Sequence, residues 1–281
     1  MRIGFIVPGN TALPMEFRAV AEWARAEGFD AIDPPVFASG VGDVARATGL
    51  TLGCSMVGID LLSADDGDVG PRCERLCAAL QWAAEERVGA ICIHTHQRVA
   101  ALSVRDNVAR LAARLEPVLH EAERCGVDLV MENWPADGAN VLTTPEVWEV
   151  LLDQVPSPRF GVCLDPSHLV WLGIDEVQAA RSLGPRVRYA HAKDTELFDA
   201  ARRRYGIYGP QIEGQPAGPS WRYRIPGFGA VRWPAFLSAL YEAGYEGVLS
   251  IEHEDPVFWG TQQKVLRGLR LGQRYLRQYA G

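Results

Sequence analysis

The sequence predicts a (β/α)8 barrel, or TIM barrel, formed as a single domain by residues 1–281. Eight short apolar runs alternate with longer amphipathic runs, as strands and helices do in this fold. The apolar runs carry little charge before their last residues, which is typical of parallel strands covered on both faces. None is followed by the glycine-rich phosphate loop that an open, doubly wound sheet would favour.

The predicted strands are rich in β-branched and apolar residues and are bounded by turn residues. In chain order they cover residues 2–7, 30–33, 50–57, 90–96, 127–133, 159–165, 187–194 and 247–254. An amphipathic segment lies between most consecutive strands, so each strand has a helix available to cover it. This alternation predicts a closed ring of parallel strands.

Helices are predicted where apolar residues recur at helical spacing. The main segments are residues 14–28, 71–89, 104–126, 143–155, 233–247 and 261–279. Gly28, Gly89 and Gly126 end three of them just before a strand, which predicts glycine C-caps. Thr144 followed by Pro145 predicts an N-cap with proline at the first helical position.

One segment, residues 195–230, is too long to be a simple connection within the barrel. It follows the seventh strand, and long connections in compact domains are usually functional or disordered. Its aromatic content argues against disorder: Tyr205, Tyr208, Trp221, Tyr223 and Phe228. Two roles are consistent with this composition, namely a lid over the barrel mouth and an arm that joins two subunits.

The composition is that of an ordinary globular protein, with 48% hydrophobic and 22% charged residues. A net charge of −7 argues against nucleic acid and anionic membranes as partners. The short apolar run at the N-terminus does not predict a signal peptide, and no later stretch is long enough to span a membrane. We therefore expect a cytoplasmic protein whose cysteines are small buried hydrophobes: Cys54, Cys73, Cys77, Cys92, Cys125 and Cys163.

Four consecutive predicted strands end in a side chain that can bind a metal. Strand five ends in Glu132, strand six in Asp165, strand seven in His191 and strand eight in Glu252. Any one of them alone would more often be a solvated strand end or a helix cap. Together they lie at the end of the barrel where this fold carries its chemistry.

Three carboxylates and one imidazole at one end of a barrel predict a site for one divalent metal ion. Without a cation the carboxylates would repel each other, and some would have to take up protons. Carboxylate-rich sites suit Mn²⁺, Mg²⁺ or Co²⁺, whereas Zn²⁺ prefers more His or Cys. Mn²⁺ is therefore the expected cofactor, with the other three as alternatives.

The same residues carry a family resemblance. The motifs are "MENWP" around Glu132, "CLDPSHL" around Asp165, "HAKD" around His191 and "IEHED" around Glu252. They resemble the xylose isomerase-like superfamily, and within it the sugar phosphate isomerase/epimerase branch. That branch includes inosose dehydratase, hydroxypyruvate isomerase and the ketose 3-epimerases. The likeness runs from the first strand to the last helix and is more specific for the metal site than for the substrate.

The resemblance implies roles for individual residues. Glu132, Asp165, His191 and Glu252 would be the metal ligands, and the two glutamates would also act as the catalytic acid/base pair. His168 would contact the substrate or bridge to the metal through water and is the third catalytic candidate.

We expect further substrate contacts from His96, Trp134, Lys193 and Arg224 together with His168. Lys193 could assist by its charge or pair with Asp194. It stands near where the ketose 3-epimerases carry an arginine, which counts against a simple ketose epimerase.

These observations predict an enzyme that isomerises or epimerises a sugar or keto-sugar by removing a proton beside a metal-chelated carbonyl. The alternative is a lyase or dehydratase that performs β-elimination on an inosose or a 3-keto-glycoside. An apurinic endonuclease-like hydrolase is a remote alternative, because the third strand lacks the histidine needed for a trinuclear zinc site. No anion-binding loop is evident, so an unphosphorylated sugar, keto-sugar or cyclitol is expected; a homo-oligomer stays open.

Overall fold

The computed structural model describes residues 1–9, 13–63, 65–94, 96–209 and 220–280. All eight predicted strands are present there, together with a short hairpin. The strands are β1 (Arg2–Phe5), β2 (Ala31–Ile32), β3 (Thr51–Leu52), β4 (Cys54–Met56), β5 (Ala90–His94), β6 (Asp128–Glu132), β7 (Phe160–Leu164), β8 (Val187–Ala192), β9 (Asp194–Leu197), β10 (Trp221–Arg224) and β11 (Val248–Ile251).

Helices fill the segments between strands, and most of them pack against the outer face of the barrel. They are α1 (Phe17–Ala26), α2 (Val41–Thr48), α3 (Asp66–Glu86), α4 (Val104–Cys125), α5 (Pro145–Gln154), α6 (Pro166–Leu172), α7 (Glu176–Leu183), α8 (Asp199–Tyr205), α9 (Trp233–Glu242) and α10 (Gln262–Leu276). Single 3₁₀ turns occur at Ala136–Gly138, Gly184–Arg186 and Pro256–Phe258. None of the described helices combines the length and apolar character needed to cross a bilayer.

The parallel strands form the predicted barrel. Seven of them pair in the order β1-β11-β8-β7-β6-β5-β4, and β2 pairs with β3. The ring closes through backbone bonds between β1 and β2, since Asp33 N donates to Phe5 O over 2.9 Å. All these strands run in the same direction, so their C-terminal ends meet at one mouth.

The predicted third strand is broken into β3 and β4 at Gly53. A Cβ atom at this position would lie 2.2 Å from Tyr189 Oη and 2.3 Å from Asp33 Oδ1. Only glycine lets the backbone approach these two side chains so closely. The sequence pattern did not show the break because its cause lies across the barrel.

Helix α3 differs from its prediction at both ends. It begins at Asp66 rather than at Pro71, which lies inside the helix. It ends before Gly89, because Arg87 adopts the left-handed conformation with φ 64°. The other two glycines behave as predicted: Gly126 is a left-handed C-cap, and Gly28 has φ 84° just past the end of α1.

The long segment after β8 contains a hairpin and a helix. Strands β9 and β10 are antiparallel, with Trp221 opposite Leu197. Trp221 stacks on Trp171 of α6, with ring centroids 4.4 Å apart and an interplanar angle of 10°. Residues 210–219 of the predicted lid or arm lie outside those that the structure describes.

Two apolar clusters form the core. The larger lies between the helices and the barrel, and a smaller one fills the barrel interior with residues that include Cys54, Cys92 and Cys163. None of the six cysteines forms a disulfide, as predicted, but Cys77 and Cys125 are only partly buried. Both pack against the edge of the larger cluster, so the prediction that all six are buried was wrong for these two.

Candidate metal centre

The structure brings the four predicted ligands together at the barrel mouth. Glu132 is the last residue of β6, and His191 lies near the end of β8; Asp165 and Glu252 directly follow β7 and β11. One donor atom from each side chain lies within 4.8 Å of the donor atoms of the other three. Glu132, Asp165 and His191 are buried, and the side chain of Glu252 is 16% exposed.

Local bonds fix Asp165 so that one of its oxygens faces the cluster. Its Oδ1 accepts a hydrogen bond from Ser167 N over 2.8 Å and thereby caps α6. The amide side chain of Asn133 binds the backbone of Asp165 on both sides, at 2.8 Å and 3.0 Å. Asp165 Oδ2 is consequently free to point towards the other ligands.

The donor set fits a divalent cation. Asp165 Oδ2 is buried 3.3 Å from Lys193 Nζ, yet neither it nor His191 Nε2 has a hydrogen-bond partner among the described residues. Lys193 compensates the charge of this oxygen, but buried polar atoms without a hydrogen bond are costly unless another ligand binds them. Three carboxylates and one imidazole are donors that Mn²⁺ and similar ions accept.

The side chains of the cluster shift each other's pKa values. Burial lowers the pKa of His191, but Glu132 and Glu252 more than offset this and raise it to about 10. Burial raises the pKa of Glu132, whereas His191, His168 and Lys193 hold it well below its usual value. Burial raises the pKa of Glu252 to about 8 against the opposing effect of Lys193. The cluster therefore attracts positive charge, which a divalent cation would supply.

Lys193 is a buried cation beside the predicted ligands. Its Nζ lies 2.6 Å from Glu252 Oε2 and 3.0 Å from Glu254 Oε2. The ammonium also lies 4.5 Å from the centroid of the Tyr223 ring. Neighbouring carboxylates raise the pKa of Lys193 well above its usual value although burial opposes them, so this side chain stays charged.

Asp194 is not the partner of Lys193. Its carboxylate accepts hydrogen bonds from Gly227 N and from Trp233 Nε1, each over 2.9 Å, and from Val231 N over 3.0 Å. These bonds attach the residues that follow β10 to the C-terminal end of β8. The predicted pairing of Lys193 with Asp194 was therefore wrong, and the electrostatic role of Lys193 stays a prediction.

His168 connects the ligands to the hairpin. Its Nε2 faces Asp165 Oδ2 at 3.4 Å and Glu132 Oε1 at 3.6 Å. Its Nδ1 lies 3.0 Å from Tyr223 Oη. Since two carboxylates favour a proton on Nε2, the tautomer assigned from these contacts has Nε2–H, with the tyrosine hydroxyl donating to Nδ1.

The remaining predicted substrate residues occupy different environments. Trp134 is 39% exposed at the mouth, with its ring 4.9 Å from that of His94. His96 is buried 3.4 Å from Asp60, and burial lowers its pKa to about 4.

Arg224 is held by carboxylates of the protein. It donates from Nε to Asp255 over 2.9 Å and also pairs with Glu196. These bonds join the hairpin to the loop after β11.

Sequence reasoning did not select three residues that contact the cluster. His94 Nε2 lies 3.4 Å from Glu132 Oε2, and Glu254 and Tyr223 contact Lys193. His94 shares one face of the predicted strand with His96, but the substrate contact was predicted at His96. Glu254 lies two residues after Glu252. Because side chains alternate along a strand, this spacing predicts that both point to the same side and could have identified Glu254. The sequence placed Tyr223 among the aromatic residues of the 195–230 segment but did not assign it to the cluster, because the hairpin brings it in from 32 positions beyond His191.

Curated relatives match parts of the chain. It is 34% identical over 141 residues to "Uncharacterized protein YfiH" of Bacillus subtilis (strain 168), which covers 49% of this chain and 44% of the relative. It is 26% identical over 145 residues to inosose dehydratase of Geobacillus thermodenitrificans, covering 51% and 46%. Each match thus spans less than half of the relative's own length.

Solved structures share the fold over the whole chain. A D-psicose 3-epimerase crystallised in the presence of D-fructose superposes with a TM-score of 0.76 at 17% identity, covering 100% of both chains. The IolI protein with a bound zinc atom gives 0.77 at 16% identity, covering 99% of both.

The sequence profile described as "Xylose isomerase-like TIM barrel" matches residues 20–279. This range begins within α1, runs past the end of α10 and includes all four predicted ligands. The profile, the barrel and the donor cluster lead to the same conclusion: the chain belongs to the xylose isomerase-like TIM barrel family.

Proposed function

We propose that this protein is a divalent-metal-dependent isomerase or epimerase of an unphosphorylated sugar, keto-sugar or cyclitol. The observation that carries the proposal is the convergence of Glu132, Asp165, His191 and Glu252 within 4.8 Å, with buried donor atoms left unpaired. Family membership and the relatives described above support the same class of chemistry.

Glu132 and Glu252 have complementary roles in the proposed proton transfer. A bound divalent cation would acidify the C–H between a carbonyl and a neighbouring hydroxyl of the substrate. Glu132 and Glu252 come from β6 and β11, which are separated by two strands, and so reach a substrate from different sides. One carboxylate removes the proton, and the other can return it to the opposite face or to the adjacent carbon.

Two further groups assist this transfer. His168 offers its Nε2–H as a hydrogen-bond donor to a substrate oxygen, because its other nitrogen is occupied by Tyr223. Lys193 places a permanent positive charge beside Glu252 and stabilises negative charge that develops on the substrate.

A neutral substrate fits the charges at the mouth. The two cations assigned to substrate binding are already paired, Lys193 with Glu252 and Glu254, and Arg224 with Glu196 and Asp255. A phosphate group would have to compete with these carboxylates and would face their repulsion. We infer that the substrate carries no phosphate.

A lyase or dehydratase is the second candidate. It begins with the same proton removal but expels a leaving group from the β-carbon. The position of Lys193 next to Glu252 favours this reaction, since an ammonium can stabilise a departing oxygen. The partial match to inosose dehydratase points in the same direction.

We propose Mn²⁺ as the physiological ion because three of the four donors are carboxylates. Zinc is the competing assignment, since the IolI structure carries zinc. A cytoplasmic location remains our expectation from the sequence.

Solvent exchange tests the proposal. The manganese-loaded protein is incubated in D₂O with ketoses, inososes and 3-keto-glycosides, and the products are analysed by NMR and mass spectrometry. We expect deuterium at a carbon beside the carbonyl in at least one compound, in a rearranged product for an isomerase or epimerase and in an unsaturated product for a lyase. A metal-loaded protein that exchanges none of them would contradict both candidates.

A further inference from the structure

The loop after β11 forms a cavity beside the proposed active site. The cavity has a volume of about 480 Å³ and is lined by Glu254, Pro256, Trp259 and Gly260. This volume is in the range of pockets that hold small ligands, about 300–1,000 Å³. We refer to this cavity as the loop cavity.

The loop cavity is continuous with the catalytic groups through Glu254. Lys193 Nζ binds Glu254 Oε2 at 3.0 Å and Glu252 Oε2 at 2.6 Å. A single ammonium group therefore separates a carboxylate of the cavity wall from a proposed catalytic carboxylate. A molecule bound at the metal cluster would have the loop cavity as its neighbour.

The walls of the loop cavity suit a second sugar ring or another apolar-faced group. Trp259 is 39% exposed and offers a broad ring surface, on which the C–H face of a sugar or an aromatic aglycone can pack. The half-exposed carboxylate of Glu254 can accept hydrogen bonds from hydroxyl groups. Neither residue suits a phosphate or another anion.

Local bonds keep this loop in place. Asp255 Oδ1 accepts from Val257 N over 2.8 Å, and Asp255 Oδ2 accepts from Ile225 N over 3.1 Å and from Arg224 Nε over 2.9 Å. A platform fixed in this way binds with less loss of conformational freedom than a mobile loop would.

The inner side of the loop is packed equally closely. A Cβ atom at Gly268 of α10 would lie only 2.4 Å from His253 Nε2, so the helix and the loop are in tight contact. The His253 ring lies 5.5 Å from that of Trp259. Trp259 is thus supported from below while its outer part remains exposed.

Resting on the function proposed above, we propose that the loop cavity is a subsite for the second ring or aglycone of a glycoside. The preferred substrate would then be a keto-glycoside rather than a free monosaccharide. The sugar ring to be changed lies at the metal cluster, and the group attached to it packs on Trp259 beside Glu254.

A binding experiment separates this proposal from the proposed activity. Isothermal titration calorimetry compares glucose with 4-nitrophenyl β-D-glucopyranoside on the manganese-loaded protein, without any turnover. We expect the glycoside to bind at least about tenfold more tightly. Trp259→Ala should abolish this difference, and Trp259→Phe should retain most of it. Tyr241→Ala is the matched control, because Tyr241 is an equally exposed aromatic residue on α9.

Three results would overturn the subsite. The wild-type protein could bind both compounds equally, or Trp259→Ala could weaken both to the same extent. Alternatively, Trp259→Ala could change the oligomeric state in size-exclusion chromatography without changing the preference for the glycoside, which would make the loop a contact between subunits. Deuterium exchange into a free keto-sugar together with any of these results would leave the proposed activity intact and remove only the subsite.

Discussion

The barrel buries two groups of polar side chains, and they differ in how completely their hydrogen bonds are satisfied. Below the mouth, Asp33 accepts bonds from Tyr189 Oη at 2.6 Å, Ser250 Oγ at 2.6 Å and Cys54 N at 3.0 Å. At the mouth, Asp165 Oδ2 and the Nε2 atoms of His168 and His191 are buried without a hydrogen-bond partner among the described residues.

The contrast separates a structural network from the proposed metal site. Folding normally satisfies buried polar groups, and the Asp33 network follows that rule. The cluster at the mouth departs from it at the end of the barrel where this fold binds substrates. Neither burial nor a missing hydrogen bond marks a functional residue by itself, since Trp23 Nε1 and Trp148 Nε1 are also buried and unpaired in the described part of the chain. What distinguishes the mouth is that such atoms belong to a group of four side chains that could hold a metal ion.

Glu132→Gln should produce the largest effect on activity. It should disrupt the mouth cluster and leave the Asp33 network intact. The amide keeps the shape of the side chain but cannot accept the proton, so we expect a loss of activity of about 10³-fold. The fold should be retained, with some loss of stability, because the amide cannot replace the charge that pairs with His191 Nδ1 over 2.7 Å. Activity is measured on the substrate found by deuterium exchange, with metal content determined in the same samples.

Glu252→Gln provides the partner variant. A near-normal rate in either variant, at full metal occupancy, would show that the residue concerned is not an essential acid or base.

Asp33→Asn tests the hydrogen-bonded network around Asp33 through the pH dependence of protein stability. Burial raises the pKa of Asp33 to about 6, above its value in the unfolded chain, despite its three hydrogen bonds. The unfolded chain therefore loses this proton first, and wild-type stability falls as pH rises from about 4 to 6. A shift of about two units corresponds to about 3 kcal/mol.

The measurement is urea unfolding of both proteins with EDTA between pH 4 and 7. Subtracting the asparagine variant cancels the titration of the mouth cluster. The stability of the wild type relative to Asp33→Asn should decline by about 3 kcal/mol across this range. A difference that does not vary with pH would show that Asp33 does not titrate there.

Tyr223→Phe should have an intermediate effect on the mouth cluster. It removes the hydroxyl that binds His168 Nδ1 but keeps the ring beside Lys193. Because His168 then loses the bond that fixes its tautomer, we expect kcat to fall about tenfold, a loss of one charge-linked hydrogen bond. KM should change less, and Tyr241→Phe serves as control. An unchanged kcat would mean that the hydroxyl does not position His168.

Ser250→Ala should give the smallest effect and act on stability alone. Ser250 donates one hydrogen bond to Asp33, and its loss should reduce the free energy of unfolding by about 1 kcal/mol. Ser238→Ala, on the exposed face of α9, removes a comparable hydroxyl and should cost less. Loss of metal binding in Ser250→Ala would show that the two groups are not independent.

The sequence predicted the barrel and the mouth ligands because both depend on local pattern. Glu132, Asp165, His191 and Glu252 each end an apolar run, and the fold brings such ends together. The break at Gly53 could not be predicted, because its cause is the approach of Tyr189 from across the barrel.

The contacts made by the hairpin could not be predicted from the sequence either. Tyr223 reaches His168 only because β10 pairs with β9, and the bonds from Arg224 to Asp255 and Glu196 arise from the same pairing. Sequence alone gave Arg224 a role in substrate binding because nothing in its neighbourhood along the chain revealed these partners.

Metal stoichiometry tests the central claim most directly. The protein is stripped with EDTA, loaded with manganese, freed of excess ion by gel filtration and analysed by mass spectrometry of the metals. We predict about one ion per chain in the wild type and in Asp33→Asn, and almost none in Asp165→Ala, which lacks one of the four predicted ligands. A wild-type protein that retains no metal, or that binds three zinc ions, would contradict the mononuclear site.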